Sequence, residues 1–226
     1  KNIRLVLAAG FLLAMHFIFW FSALKLTSIA NTTVLGIVAP AFTLLFERLW
    51  YNRKLSWITI TALLIILFGG IIVQGDDLGR VNSTGLGNIM AILSAIFLGS
   101  VFIIGAKVRK TTPVIAYTRM VYTVSAIVLL VSSLVLDNPL LGYSINNYFW
   151  LFILGLVPTL IGHTAFSYSV KFVSPTVIAS FPLGEPIIAS YLAWILFAER
   201  VPFYVVGGGL IVFIGMIILI MNKQSE

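Results

Sequence analysis

The 226-residue chain has no cysteine, which excludes disulfides and thiolate-held metal sites. Charge is scarce: Asp, Glu, Lys and Arg make up 9% of residues, against roughly 25% in soluble domains. Only 7 residues are acidic. The longest connections between apolar stretches run to about a dozen residues, leaving no room for a soluble domain. A phosphate-cradling Gly-rich loop is absent, as are a Gly-x-Ser-x-Gly elbow and a His-Glu-x-x-His pair. Nucleotide-driven pumping and the commoner hydrolase chemistries therefore have no residues to run on.

What fills the chain is apolar surface. Hydrophobic residues are 60% of the total and the mean hydropathy is +1.10. Eight runs long enough to cross a bilayer occupy about 4–24, 30–48, 55–74, 86–106, 114–136, 147–169, 173–197 and 202–221. They are apolar nearly all round, whereas a soluble helix keeps one polar face. The first run is followed by more spans with no small-residue cleavage site, so it does not read as a signal peptide. The sequence thus predicts an all-α membrane protein with eight transmembrane helices.

A formal charge of +7 would suit a nucleic-acid partner, but its placement points to topology. With the first span starting inside, the cytoplasmic ends collect Lys1, Arg4, Arg48, Arg53, Lys54, Lys107, Arg109, Lys110, Lys171 and Lys223. The other side holds Lys25, Arg80 and Arg200 with Asp76, Asp77, Asp137 and Glu199. That is the positive-inside asymmetry. It predicts a multi-pass protein of the cell membrane, bacterial and cytoplasmic, with a cytoplasmic C-terminus and no nucleic-acid partner.

The chain also repeats itself at an offset of 146: residues 17–74 align with 163–220 without a gap, pairing Lys25 with Lys171, Ser28 with Ser174, Pro40 with Pro186 and Gly69 with Gly215. The polar stretch 75–85 separates three runs from five, dividing the chain into an incomplete first repeat at 1–75 and a complete second repeat at 86–221. An odd number of spans per repeat forces opposite orientations, which agrees with Lys25 outside and Lys171 inside. Inverted repeats of this kind are a common build of secondary transporters, and matched discontinuities in the two halves point to a midplane site. Pro40 and Pro186 are such a pair.

Residues 167–221 carry a family resemblance. The stretches Tyr168-Ser169-Val170-Lys171-Phe172-Val173-Ser174-Pro175, Leu183-Gly184-Glu185-Pro186 and Phe197-Ala198-Glu199-Arg200-Val201-Pro202 resemble the second half of an EamA-type transporter of the drug/metabolite transporter superfamily. Ala23–Phe46 resembles the first half, and Thr112-Pro113 through Arg119 the start of that family's seventh helix. The resemblance implies a ten-helix 5+5 inverted-repeat fold of which this chain supplies helices three to ten, with two helices expected before Lys1. It also implies a glutamate near the end of the fourth helix. Glu199 fits in the second repeat, while Arg53 stands at the matching place in the first.

Ionisable groups within a membrane are costly and mark candidate sites. Glu185, flanked by Pro182 and Pro186, sits mid-span. A proline there frees a carbonyl about one turn earlier, so an open turn lies beside a carboxylate. Two readings stand: a site for a substrate amine or a proton, and a buried structural carboxylate. Arg119 either snorkels to headgroups or pairs with a substrate carboxylate or an acidic side chain. His16 and His163 occupy nearly equivalent places, as cavity-lining groups or as partners of a neighbouring backbone. No spacing of ligands suggests a metal, and no cofactor is implied. Trp20 and Tyr168, with Phe21, Tyr117, Tyr122, Phe166 and Trp194, are candidates for an aromatic lining, against the competing role of lipid-facing anchors. The glycines at 69–70 and 207–209 read as close helix packing.

The leading expectation is a secondary transporter of small metabolites such as amino acids, exporting or exchanging them on ion or substrate gradients, with protons a candidate coupling ion. An intramembrane enzyme would have to rest on Glu185 with His163, and a truncated, non-transporting membrane protein is the other alternative.

Overall fold

The computed structural model describes residues 2–27, 29–50, 56–75, 84–198 and 201–222. The comparison of Arg53 with Glu199, the pairing of Ser28 and most of the polar 75–85 connection lie outside these residues.

Among the described residues the fold is all-helical. The helices are α1 (Ile3–Leu26), α2 (Ile29–Leu35), α3 (Val38–Trp50), α4 (Trp57–Gln74), α5 (Gly85–Val108) and α6 (Val114–Val135). They continue with α7 (Ile145–Leu154), a π-helical stretch (Gly155–His163), α8 (Thr164–Ser169), α9 (Pro175–Ser180), a 3-10 turn (Phe181–Gly184), α10 (Glu185–Phe197) and α11 (Phe203–Asn222). Among the described residues, six helical stretches are long and apolar enough to cross a membrane, and two further apolar helices, Trp57–Val73 and Pro175–Gly184, are shorter. The apolar runs expected at 30–48, 147–169 and 173–197 are interrupted rather than continuous.

The chain forms two units, one of residues 1–15 and 100–174, the other of residues 16–99 and 175–226. The division falls inside α1 and α5. It does not follow the boundary expected near residues 75–86, because α4 and α11 pack together within the second unit.

In the first unit, α1 meets α6 at Gly10, where a Cβ would lie 2.6 Å from Val124 Cβ and 2.8 Å from the Val121 carbonyl. Arg109, buried in the turn after α5, donates from Nε to the Ser167 carbonyl at 2.9 Å and also bonds the Thr112 carbonyl. Its charge is thus carried by two main-chain acceptors, one of which, Ser167, lies near the C-terminal end of α8, where a cation is favourable. The π-helical stretch has a local cause. Pro158 cannot donate to the Leu154 carbonyl four residues earlier, and the Thr159 hydroxyl donates to it instead at 3.2 Å. The Tyr117 hydroxyl is buried with no hydrogen-bond partner among the described residues. Since an unmet buried hydroxyl costs stability, Tyr117→Phe should leave the thermal midpoint unchanged or raise stability by up to about 1 kcal/mol. A clear loss in a melting experiment would contradict this placement.

In the second unit, α4 and α11 make the tightest contact. A Cβ on Gly69 would lie 2.8 Å from the Gly208 carbonyl and from Val212 N, and one on Gly215 would lie 2.7 Å from Ile66. Small residues allow such backbone approach in the absence of a water-driven hydrophobic force. Asn222 closes the end of the pair, donating to Ser56 Oγ at 3.2 Å and Thr59 Oγ1 at 2.9 Å. Between α3 and α9, Thr176 donates to the buried Glu47 carboxylate at 2.7 Å.

Candidate solute cavity

Two helices of the second unit are broken by one repeated device. Pro40 has no N–H for the Gly36 carbonyl, and the Ala39 N–H takes that place at 2.9 Å. Pro186 likewise leaves the Pro182 carbonyl, which accepts from the Glu185 N–H. Each bond spans three residues rather than four, tightening the chain locally into 3-10 geometry. Gly36, Ala39 and Pro40 correspond to Pro182, Glu185 and Pro186 at the offset of 146. The proline pair read from the sequence therefore acts one turn upstream, at Gly36-Ile37 and at Phe181–Gly184.

Both breaks line one cavity of about 30 Å³, room for a water or two. From the first break come Thr33, Gly36 and Ala39, and from the second Ala179, Pro182, Leu183 and Glu185. α1 adds His16 and Trp20, and α5 adds Ser94, Ala95 and Leu98. The His16 and Trp20 rings lie 6.1 Å apart between centroids. Glu185 is exposed at the start of α10, whereas His16, Thr33 and Ser94 are buried. His16 Nδ1 lies 2.8 Å from Ser94 Oγ and 3.1 Å from the Ser94 carbonyl, and Ser94 Oγ donates to the His16 carbonyl at 3.0 Å. His16 thus meets a neighbouring backbone and also lines this cavity.

Of the residues expected at a site, the structure brings His16, Trp20 and Glu185 together. Pro40 is fully buried in α3, and Pro186 is the second residue of α10. Arg119, His163 and Tyr168 belong to the first unit. Arg119 is exposed on α6, and Tyr168 is 53% exposed. His163 ends the π-helical stretch in an edge contact with Phe166, with centroids 6.2 Å apart. Among the other aromatic candidates, Tyr117 is buried and Tyr122 shares a 3.0 Å hydrogen bond with Thr164. Phe21 and Trp194 are exposed. Ser94 and Thr33 were missed by sequence reasoning, and Ser94 has no local cue: its meaning comes from a partner 78 residues away. A larger apolar groove of about 440 Å³ between α10 and α11, lined by Tyr191, Trp194 and Phe213, has no carboxylate or imidazole among its described lining residues.

The sequence matches the EamA-like transporter family over residues 1–74 and 85–221. It is 24% identical over 229 residues to an uncharacterized transporter, YxxF, of Bacillus subtilis, covering 100% of this chain and 72% of that protein. It is 22% identical to the pseudopaline exporter CntI of Pseudomonas aeruginosa, covering 100% of this chain and 78% of that protein. A solved crystal structure superposes with a TM-score of 0.80 at 16% identity, over 100% of this chain and 79% of the other, and so shares the fold. Apolar helices, paired helix breaks and a match over nearly the whole length lead to one conclusion: this multi-pass membrane chain belongs to the EamA-like transporter family.

Proposed function

We propose that the chain is a secondary active transporter that exports small metabolites, such as amino acids, across the cytoplasmic membrane by alternating access. In this reading eight spans form two oppositely oriented repeats, 1–75 and 86–221, with the basic helix ends and the C-terminus in the cytoplasm. The cavity between the broken helices holds the solute. His16, Trp20 and Glu185 contact it, and Pro40 and Pro186 maintain the breaks. Glu185 is the coupling group, exchanging a proton as solute binds and leaves.

The observation that carries this reading is the meeting of two proline-set breaks, 146 residues apart, on one cavity that contains a carboxylate. Broken helices bring backbone dipoles to a midplane site and provide points at which helices bend. A volume of about 30 Å³ is too small for an amino acid, so entry requires the cavity to widen, and the two 3-10 turns are the places where that costs least. The relative named as an exporter supports the direction.

Counterflow tests the proposal. The purified chain in liposomes loaded with an unlabelled amino-acid mixture should accumulate external labelled amino acid above protein-free liposomes. No exchange of any amino acid in either direction would overturn it.

A further inference from the structure

Three of the stretches long enough to cross a membrane reach one corner of the first unit: α5 and the stretch ending with α8 finish there, and α6 begins there. Their ends are in contact. A Cβ on Gly105 of α5 would lie 3.3 Å from the Tyr117 hydroxyl on α6 and 3.3 Å from Val170 Cγ2, just after α8. Beyond Gly105, the buried Arg109 bonds the Ser167 carbonyl of α8 and the Thr112 carbonyl ahead of α6. Ends of membrane spans lie at the depth of lipid headgroups. This corner is therefore tied together by specific contacts and placed where headgroups are.

Lys107, Lys110 and Lys171 each stand one or two residues from these contacts, and all three are exposed. Lys171 Nζ lies 5.5 Å from the centroid of the Phe172 ring, and that ring lies 5.2 Å from the ring of Tyr168. Tyr168 and Phe172 are both more than half exposed, as suits rings at a membrane–water boundary. Residues 100–174 hold Lys107, Arg109, Lys110, Arg119 and Lys171 against Asp137 alone. Asp137 follows the opposite end of α6, about 33 Å along the helix from its start. That is far beyond the roughly 8 Å over which exposed charges act at physiological salt. The positive-inside bias explains the sign of these charges. It does not explain why Arg109 ties three span ends together, or why exposed rings stand beside Lys171.

We propose that this corner binds the headgroup of an anionic phospholipid, with Lys107, Lys110 and Lys171 attracting its phosphate and its acyl chains running against the exposed rings of Tyr168 and Phe172. Arg109 is the positioning residue, holding the ends of α5, α6 and α8 so that the three lysines act on one headgroup. A free phosphate would engage the lysines but has no use for the rings, so the apolar flank selects the lipid. Each basic residue close to an anionic surface strengthens binding about fivefold, so three together give about a hundredfold.

The full chain in a neutral detergent, titrated with phosphatidylglycerol or with phosphatidylcholine of the same acyl chains, tests this by native mass spectrometry of bound lipid. Phosphatidylglycerol should bind about a hundredfold more tightly, and added salt should weaken it. The triple variant Lys107→Gln, Lys110→Gln, Lys171→Gln should lose most of that preference, while arginine at the same three positions should keep it. Lys25→Gln removes an equal charge from the second unit and should leave the preference unchanged. If the triple glutamine variant melts early, Lys110→Gln and Lys171→Gln singly, each expected to weaken binding about fivefold, carry the comparison. Inorganic phosphate should not displace the lipid. Equal binding of the two lipids, native binding by the glutamine variants, or an equal loss in Lys25→Gln would each overturn the proposal. Displacement of the lipid by inorganic phosphate would overturn it too, by marking a site for a free anion.

Discussion

Glu185→Gln is expected to abolish the pH dependence of transport and to lower its rate by about 10- to 100-fold, the cost of losing a charge-assisted hydrogen bond to the solute. The carboxylate sits where the 3-10 turn becomes α10, inside a helix that is otherwise apolar. Its own N–H is committed to the Pro182 carbonyl, so backbone and side chain of one residue both serve the break. Gln preserves the shape and the helix start but cannot exchange a proton. Proton-driven transport should therefore vanish while solute exchange, which needs no net proton movement, keeps a residual rate. Initial rates across a pH series in the native and substituted proteins test this, and a superimposable pH profile would remove Glu185 from the coupling role. Glu47 is a useful contrast. Its carboxylate accepts from Thr176 where α3 meets α9, and the cavity lining does not include it.

The largest effect on stability should come from the crossing of α4 and α11. At Gly69 an added methyl would face backbone atoms of Gly208 and Val212 at 2.8 Å, and backbone cannot rotate aside as a side chain can. Gly69→Ala, and likewise Gly208→Ala, should destabilise the protein by about 1–3 kcal/mol, the usual range for overpacking a tight contact. The adjacent glycines give the internal control. An added Cβ at Gly70 or Gly207 would have nothing within 4 Å, so alanine there should be neutral or stabilise by up to about 1 kcal/mol through helix propensity alone. Thermal melts of the four variants in detergent should separate into two pairs. Four equal shifts would mean that the crossing is not set by backbone contact.

Much of this architecture was legible in the sequence, for reasons that can be named. A helix in a membrane must satisfy its backbone internally, so each long apolar run had one available structure. Proline cannot donate, so Pro40 and Pro186 had to disturb their helices, and their equal spacing from the repeat made the pair conspicuous. The site was less legible because it depends on long-range meetings. Ser94 in the apolar α5 looks like ordinary packing until it is placed against His16. Near-equivalent sequence positions likewise did not give His16 and His163 equivalent surroundings: one is bonded to α5, the other ends a π-helical stretch set by Pro158. That stretch had a local cue in the Pro158-Thr159 pair, where a missing donor sits beside a hydroxyl able to replace it.

The central claim, that the cavity at the two breaks is the transport site, is most directly tested by accessibility. The chain has no cysteine of its own, so single cysteines can be introduced without background. Ala179→Cys and Ala95→Cys place a thiol in the cavity lining from α9 and α5, and Gly70→Cys lies away from it. A membrane-impermeant thiol reagent applied from one face and then from the other should modify both cavity positions from each side, more slowly when an amino acid is present, and modification should stop transport. Transport that continues at its native rate after both cavity cysteines are fully modified would contradict the account.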